Sequence, residues 1–176
     1  MNTKEVVASD WFQLAAKGRD GLEEFTKRHP VEMLWHGHVF VKNYMFTIRP
    51  PFRKNVRCMW IHGPSGVGKS KFAYEKMPSA FRKDPYTKWW DNYFHETQCI
   101  IDEFEPQQIP VGYLLQWLDP YPVYVEVKHG YAPLFVERFI ITSNYTPQEV
   151  YPMLTDEKLQ CLLRRIVVCS VANAIL

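Results

Sequence analysis

The sequence predicts an α/β protein with a central, mostly parallel sheet, an inserted β-hairpin and a small bundle of helices at the N-terminus. Helical spacing fills the first fifty residues, whereas short apolar runs rich in Ile and Val recur from Val56 onward. A glycine-rich loop follows the first of these runs and opens a helical segment, which gives the order strand, loop, helix. We therefore divide the chain into a helical segment, 1–50, and a sheet domain, 51–176.

Composition narrows the class of protein. A chain of 176 residues, of which 47% are hydrophobic and 15% aromatic, can form a core of its own. Lys and Arg number 21 against 19 Asp and Glu, a net charge of +2, so a charged partner must be bound by a local patch. No apolar run is long enough to span a membrane, and we expect a soluble intracellular protein. The four cysteines show no metal-binding spacing, which predicts reduced, buried thiols.

Three helices are predicted in the N-terminal segment. Ser9 or Asp10 is a candidate cap for a helix that begins at Trp11 and ends before Gly18, and Pro30 opens the third helix. Apolar residues of this third helix recur at helical spacing and share one face. They are Val31, Leu34, Trp35, His38 and Val39.

A proline pair at 50–51 marks a linker, and a basic stretch follows it. Arg53, Lys54 and Arg57 form that stretch, which is typical of a solvated joint and, as the alternative, of a nucleic-acid patch.

The sheet domain is predicted from short apolar runs and their boundaries. Strands are expected at 56–62, 98–104 and 139–142, and a helix at 69–77. Alternating valines before Lys128-His129-Gly130, with a second run after it, predict an antiparallel hairpin inserted between two strands.

The glycine-rich loop has the spacing GxxxxGK[ST] and lies between a predicted strand and helix, as a phosphate-binding loop requires. Glycines allow the backbone amides to converge on phosphate oxygens, Lys69 can neutralise phosphate charge, and Ser70 can ligate Mg²⁺. The alternative is an ordinary glycine-rich turn. The loop residues are Gly63, Pro64, Ser65, Gly66, Val67, Gly68, Lys69 and Ser70.

Polar residues end two further strands. Asp102 is a candidate Mg²⁺ ligand, and the adjacent Glu103 can deprotonate a water, which favours an ATPase over a kinase. Asn144 can reach the γ-phosphate or that water. Without the loop, the acidic pair is typical of solvated strand ends, and Thr-Ser-Asn is typical of a turn.

Basic residues elsewhere have two interpretations each. Arg164 and Arg165 are either surface residues or donors to a neighbour's nucleotide site. Lys128 and His129 form either an exposed turn or a phosphate-binding hairpin tip without base specificity. The Trp89-Trp90 pair is interpreted as core or subunit contact rather than as a base-stacking platform.

Five motifs occur together and in order: GPSGVGKS at 63–70, KWWDNY at 88–93, IIDEF at 100–104, VEVKHG at 125–130 and ITSN at 141–144. They resemble the helicase domain of the replication initiator (Rep) proteins of circular single-stranded DNA viruses, of circovirus and nanovirus type. These are superfamily 3 helicases. The resemblance implies a P-loop, AAA+-like ATPase that uses ATP and Mg²⁺, acts in the host nucleus, and moves on single-stranded DNA as a homohexameric ring.

The resemblance also implies roles for individual residues in the nucleotide site. Lys69 and Ser70 correspond to the Walker A lysine and hydroxyl, and Asp102 and Glu103 to the Walker B pair. Asn144 corresponds to the polar residue of motif C, called sensor 1.

Outside that site the resemblance implies an assembly. Lys128 and His129 correspond to the hairpin tip that grips the DNA backbone, and the segment 1–50 to an oligomerisation collar. Arg165 corresponds to the arginine finger, with Arg164 as the second choice.

Two other functions remain open. The string GPSGVGK also resembles the loop of guanylate-type nucleoside monophosphate kinases. A module that binds nucleotide only to hold an assembly together is the other alternative.

Overall fold

Three helices open the chain in this computed structural model, which describes residues 3–128 and 130–170. Helix α1 spans Thr3–Ala15, α2 spans Arg19–Arg28 and α3 spans Pro30–Thr47. The predicted start of α3 at Pro30 is confirmed. The predicted cap at Ser9 or Asp10 is wrong, because both residues lie inside α1.

Asp10 instead joins α1 to the turn between α2 and α3. Its carboxylate lies 3.0 Å from Nε2 of His29, and this hydrogen bond is the main cause that lowers the pKa of Asp10. The indole of Trp11 packs nearby against Phe25, with ring centroids 5.0 Å apart. The helices therefore share a small aromatic core.

The apolar face predicted on α3 is exposed to solvent. Val31, Leu34 and Trp35 have exposed fractions of 60%, 78% and 68%. Helix α3 packs on the remainder of the chain through another side, on which Tyr44 and Met45 are buried. The spacing predicted the helix and its face correctly, and the described chain leaves that face uncovered.

The linker after α3 contains a buried arginine. Arg53 is only 1% exposed, and its guanidinium donates hydrogen bonds to the carbonyl oxygens of Trp117 at 2.9 Å, Val136 at 2.8 Å and Asp119 at 2.6 Å. The predicted solvated joint is therefore wrong at Arg53, although it holds for the exposed Lys54. Three carbonyls from separate parts of the chain converge at this point, which no local charge pattern reveals.

The remaining chain forms a parallel sheet with helices and a hairpin. Its elements are β1 Arg57–His62, α4 Lys69–Lys76, β2 Phe81–Lys83, β3 Gln98–Ile101, α5 Val111–Trp117, β4 Tyr124–Val127, β5 Gly130–Pro133, β6 Arg138–Ser143, α6 Pro147–Val150, α7 Asp156–Leu163 and β7 Ile166–Ser170. Five strands pair in the order β2-β3-β6-β1-β7, all in parallel. Strands β4 and β5 form the predicted antiparallel hairpin. The predicted α/β fold is confirmed.

Register determines where the functional side chains meet. His62 at the end of β1 pairs with Ser143 at the end of β6, and Ile101 at the end of β3 pairs with Ile141. The loops that follow these three strands therefore leave from one edge of the sheet, which is where open parallel sheets bind ligands.

The boundary between the helical segment and the sheet domain stays a prediction. Helix α3 also packs against the hairpin, where Phe46 lies 3.7 Å from the position of a Cβ added at Gly130. Among residues 3–128 and 130–170, no helix is long and apolar enough to cross a membrane.

Candidate functional site

The loop between β1 and α4 takes a conformation that depends on glycine. Gly66 and Gly68 have φ angles of 83° and 92°, in the region that L side chains rarely adopt. A Cβ added at either position would meet no atom within 4 Å, so the need for glycine is conformational rather than steric. The loop exposes its backbone while α4 begins directly after it, at Lys69.

Lys69 connects this loop to the end of β6. The side chain is only 9% exposed, and its ammonium donates to the carbonyl oxygens of Gly63 at 2.7 Å and Pro64 at 2.8 Å, and to Oδ1 of Asn144 at 2.9 Å. Burial lowers the pKa of Lys69, while the charges of Asp102 and Glu103 act in the opposite direction. Residues 75 positions apart, predicted independently, are therefore in direct contact.

The two acids that follow β3 have different surroundings. The Asp102 carboxylate accepts hydrogen bonds from the hydroxyl of Thr142 at 2.5 Å and from that of Tyr74, on α4, at 3.2 Å. The Glu103 side chain is exposed, and its backbone has a φ of 54°. Its N–H donates to Oγ1 of Thr142 at 3.0 Å. One acid is fixed by two hydroxyls, and the other faces solvent.

A cavity of about 370 Å³ joins these elements. Its lining residues are Ser65, Gly66, Gly68, Lys69, Ser70, Lys71, Glu103, Glu105, Thr142, Ser143 and Asn144. A larger cavity of about 880 Å³ lies between α3, the segment 91–94 and the hairpin, and its lining is more apolar. The smaller cavity is the candidate nucleotide site, because it combines a phosphate-type loop, a lysine and a carboxylate.

Five polar residues of this site were not predicted from the sequence: Lys71, Tyr74, Glu105, Thr142 and Ser143. Glu105 places a second carboxylate on the cavity wall. The only sequence signal for this role is its position two residues after Glu103. Tyr74 and Thr142 contact Asp102 from two different elements, so no spacing within one segment identifies them.

The donors present fit a hard cation. Ser70 offers a hydroxyl oxygen and Asp102 a carboxylate oxygen, the ligand types that Mg²⁺ prefers. In the described part of the chain, no group of three or more His, Cys, Asp or Glu side chains is placed to hold a metal. Ser70 lines the cavity, whereas Asp102 is not among the lining residues and directly precedes Glu103, which is. A cation bound by Ser70 and Asp102 would take its other ligands from phosphate oxygens.

The tip of the hairpin carries an exposed lysine whose position is fixed by the segment 88–91. The N–H of Lys128 donates to Oδ1 of Asp91 at 2.7 Å, and its ammonium lies 3.6 Å from the same carboxylate. Lys88, in the same segment 88–91, forms an ion pair of 2.5 Å with Glu126 on strand β4 of the hairpin. His129, the second residue predicted at the tip, lies outside the described residues.

The segment 88–91, which contacts the hairpin, is anchored in the core by Trp90. This residue is fully buried and stacks on Phe81, with ring centroids 5.4 Å apart. The backbone N–H of Trp90 donates to the carbonyl oxygen of Glu126 on β4 at 2.8 Å. The interpretation of Trp90 as a core residue is confirmed.

The two arginines before β7 are not equivalent. Arg165 donates from Nε to Oδ1 of Asp119 at 2.8 Å and from Nη1 to the carbonyl oxygen of Cys161 at 2.5 Å. Arg164 is exposed, and its Nε donates to the carbonyl oxygen of Gln160 on its own helix at 3.2 Å. Arg165 is held within the chain, whereas Arg164 projects from it.

Taken together, the strand order, the glycine loop with its buried lysine and the acids on the adjacent strand define a P-loop NTPase-like fold. Residues 59–145 match the model of the RNA helicase family.

Curated relatives are replication-associated proteins of circoviruses and of a cyclovirus. The protein of Porcine circovirus 2 is 40% identical over 108 residues, which cover 60% of this chain and 34% of that protein. The protein of Human associated cyclovirus 1 is 29% identical over 143 residues, which cover 76% of this chain and 50% of that protein. The chain thus spans a third to a half of the length of these relatives.

A solved structure, the apo A form of the NrS-1 C-terminal region, aligns over 98% of this chain and 38% of its own, with a TM-score of 0.44 and 16% identity. That likeness is too weak to add to the strand order. The family match and the viral relatives confirm the resemblance predicted from the motifs: residues 59–145 are similar to a helicase domain, and the chain is similar to viral replication-associated proteins.

Proposed function

We propose that this chain is the motor domain of a viral replication initiator. In this proposal it hydrolyses ATP with Mg²⁺ and moves along single-stranded DNA as a ring, hexameric by resemblance, during rolling-circle replication in the host nucleus. The observation that carries the proposal is the contact between the Lys69 ammonium and Asn144, in a cavity that Glu103 also lines.

The residues of the cavity divide the chemistry of hydrolysis between them. Loop amides and Lys69 would bind the phosphates, and Asn144 would orient the γ-phosphate or a water. Glu103, exposed at the cavity, is the group that can accept a proton from that water. Mg²⁺, held by Ser70 and Asp102, would neutralise charge on the phosphate oxygens.

Assembly into a ring is supported by the uncovered face of α3. Large apolar side chains are exposed along one side of this helix, and contiguous patches of this kind mark protein interaction sites. We assign this face to contact with a second copy of the chain, as the resemblance to a collar segment suggests. Leu34→Glu should lower the assembled mass, whereas Met153→Glu, at an exposed residue outside the helical segment, should not. Equal masses for both variants would contradict the assignment.

Either arginine before β7 can serve as the donor to a neighbour's nucleotide. We favour Arg164, because Arg165 would first have to break its bonds to Asp119 and Cys161. Mixing each Arg→Ala variant with Glu103→Gln tests this choice. Rescue of hydrolysis in mixed rings by Arg164→Ala but not by Arg165→Ala supports Arg164, and the reverse result assigns Arg165.

DNA contact is assigned to the hairpin tip. Lys128 is 68% exposed and stands at the turn of a hairpin whose stem is held by Lys88 and Trp90. A braced support with an exposed ammonium at its apex suits a phosphate contact that is independent of base sequence. His129 is proposed as the second contact on the resemblance alone.

Phosphate release tests the proposal directly. The wild-type chain should release phosphate from ATP without a monophosphate acceptor, and single-stranded DNA should stimulate the rate. Lys69→Ala should abolish turnover because the phosphates lose their cation, whereas Lys76→Ala, which removes the same charge from the last turn of the same helix, should not. Glu103→Gln should bind ATP but not hydrolyse it.

Three results would contradict the assignment. Turnover that depends strictly on GMP would identify a kinase. Nucleotide binding without turnover by the wild-type chain would identify an assembly module. Loss of turnover in Glu105→Gln, with Glu103→Gln still turning over ATP, would move the base to the other carboxylate of the cavity.

A further inference from the structure

We propose that Thr142 is a positioning residue that holds both acids of the site in their working geometry. This inference rests on the proposed ATP hydrolysis. Thr142 lies near the end of β6 and is fully buried, so its hydroxyl must find its partners within the protein. Its partners are Asp102 and Glu103, the two residues that directly follow the neighbouring strand β3.

The hydroxyl of Thr142 acts as acceptor and donor at once. It accepts a hydrogen bond from the N–H of Glu103 at 3.0 Å and donates one to Oδ1 of Asp102 at 2.5 Å. The backbone carbonyl of Thr142 accepts from the N–H of Phe104 at 2.8 Å. One residue of β6 therefore fixes three consecutive residues that follow β3.

The backbone of Glu103 needs such support. Its φ of 54° lies in the left-handed region, which a residue with a Cβ keeps only where its surroundings impose it. The bond from its N–H to Thr142 supplies part of that constraint. Without this bond the backbone of Glu103 is free to return to the extended region, and the carboxylate then changes its direction relative to the cavity.

The same hydroxyl also fixes the orientation of Asp102. Oδ1 of Asp102 receives the Thr142 hydroxyl, and Oδ2 receives the hydroxyl of Tyr74 at 3.2 Å. Each carboxylate oxygen thus has its own donor on a different element. A hydroxyl accepts from Glu103 and donates to Asp102 through one oxygen atom, so serine can replace threonine and valine cannot.

Thr142→Val and Thr142→Ser test the role, since valine keeps the shape and serine keeps the hydroxyl. We expect Thr142→Val to lower kcat for ATP hydrolysis about 100-fold, the usual effect of a misplaced catalytic group, with little change in Kd for a non-hydrolysable ATP analogue. Thr142→Ser should recover most of the rate. Thr47→Val is the control, because it makes the same replacement at a threonine outside the cavity, whose hydroxyl bonds the Tyr44 carbonyl, and it should leave kcat close to the wild-type value.

Amide hydrogen exchange supplies a readout that does not depend on turnover. The Glu103 amide should exchange faster in Thr142→Val and remain protected in Thr142→Ser, while the Phe104 amide, bonded to the Thr142 backbone, keeps its protection in both. Circular dichroism verifies the fold of each variant, and Thr142→Ala replaces Thr142→Val if the latter is unfolded.

The outcomes separate this inference from the proposed function. Phosphate release by wild type and Thr142→Val at equal rates overturns the role of Thr142 alone. A serine variant as slow as the valine variant, or a parallel loss of kcat and affinity, also overturns it. A wild-type chain that releases no phosphate overturns the proposed hydrolysis, and the exchange of the Glu103 amide still decides whether Thr142 holds it.

Discussion

Replacing Arg53 by methionine should destabilise the protein although the residue lies in a linker. Its guanidinium, 1% exposed, donates to three carbonyl oxygens, those of Trp117, Val136 and Asp119. A methionine fills similar space but donates nothing. At about 1 kcal/mol for each acceptor left without its partner, the free energy of unfolding should fall by about 3 kcal/mol.

This loss is large enough to measure by melting. For a domain of this size 1 kcal/mol shifts Tm by about 2–4 °C, so Arg53→Met should lower Tm by about 6–12 °C. Burial lowers the pKa of Arg53, which shows that its charge is desolvated, and removing that charge offsets part of the loss. Arg53→Lys should have a Tm between those of the wild-type chain and Arg53→Met, because one ammonium cannot match the planar fork of donors of the guanidinium.

Thermal and urea denaturation followed by circular dichroism are the assays. Lys54→Met is the matched control, since Lys54 is the exposed neighbour of Arg53 and its loss should stay within about 0.5 kcal/mol. The reasoning fails if Arg53→Met melts with the wild-type chain, or if Lys54→Met costs as much.

Three further predictions concern other sites. Asp91→Asn removes the carboxylate beside the Lys128 ammonium but keeps an acceptor for its N–H, so affinity for single-stranded DNA at low salt should rise by up to about fivefold; fluorescence anisotropy measures this, and weaker binding would contradict it. Burial lowers the pKa of Lys83 to about 8, below its ordinary 10.5, so the unfolded chain holds this proton more tightly and the native state gains stability as pH rises between these values. The free energy of unfolding of wild type relative to Lys83→Met should therefore increase over that range in urea titrations, and a constant difference would refute the assignment. Burial also raises the pKa of the Cys58 and Cys99 thiols, so both should resist a thiol reagent such as DTNB until urea unfolds the protein, and rapid labelling of all four cysteines in the native state would be inconsistent with this structure.

Local patterns predicted the parts of the site that depend on neighbours in sequence. The phosphate loop is recognisable because a strand, a left-handed glycine turn and a helix start must follow each other within a few residues. The acids after β3 and Asn144 after β6 were predicted to be polar strand ends, and parallel pairing brings such ends to one edge. The contact of Asn144 with Lys69 follows from that topology.

Contacts between distant segments account for what the sequence did not predict. Asp10 resembles a helix cap, and only the position of His29 explains its role inside α1. Arg53 looks like part of a charged joint because its three acceptors lie 64 to 83 positions away. Thr142 reads as a turn residue until β6 is placed beside the end of β3.

The apolar face of α3 shows what hydrophobic spacing alone does not predict. Spacing identifies the residues that share a face of a helix, but it does not say whether the same chain covers that face. Trp35 and Leu34 are as periodic as any core residue and remain exposed.

A lysine ammonium has three hydrogens, and in Lys69 each one already has an acceptor. An arriving phosphate oxygen must displace one of those acceptors. Two of them are carbonyls fixed in the backbone of the loop, whereas the third belongs to an amide that can rotate about its own bonds. If phosphate binds as proposed, we expect Asn144 to release the lysine, so that the hydrogen bonding at the end of β6 changes when the ligand binds.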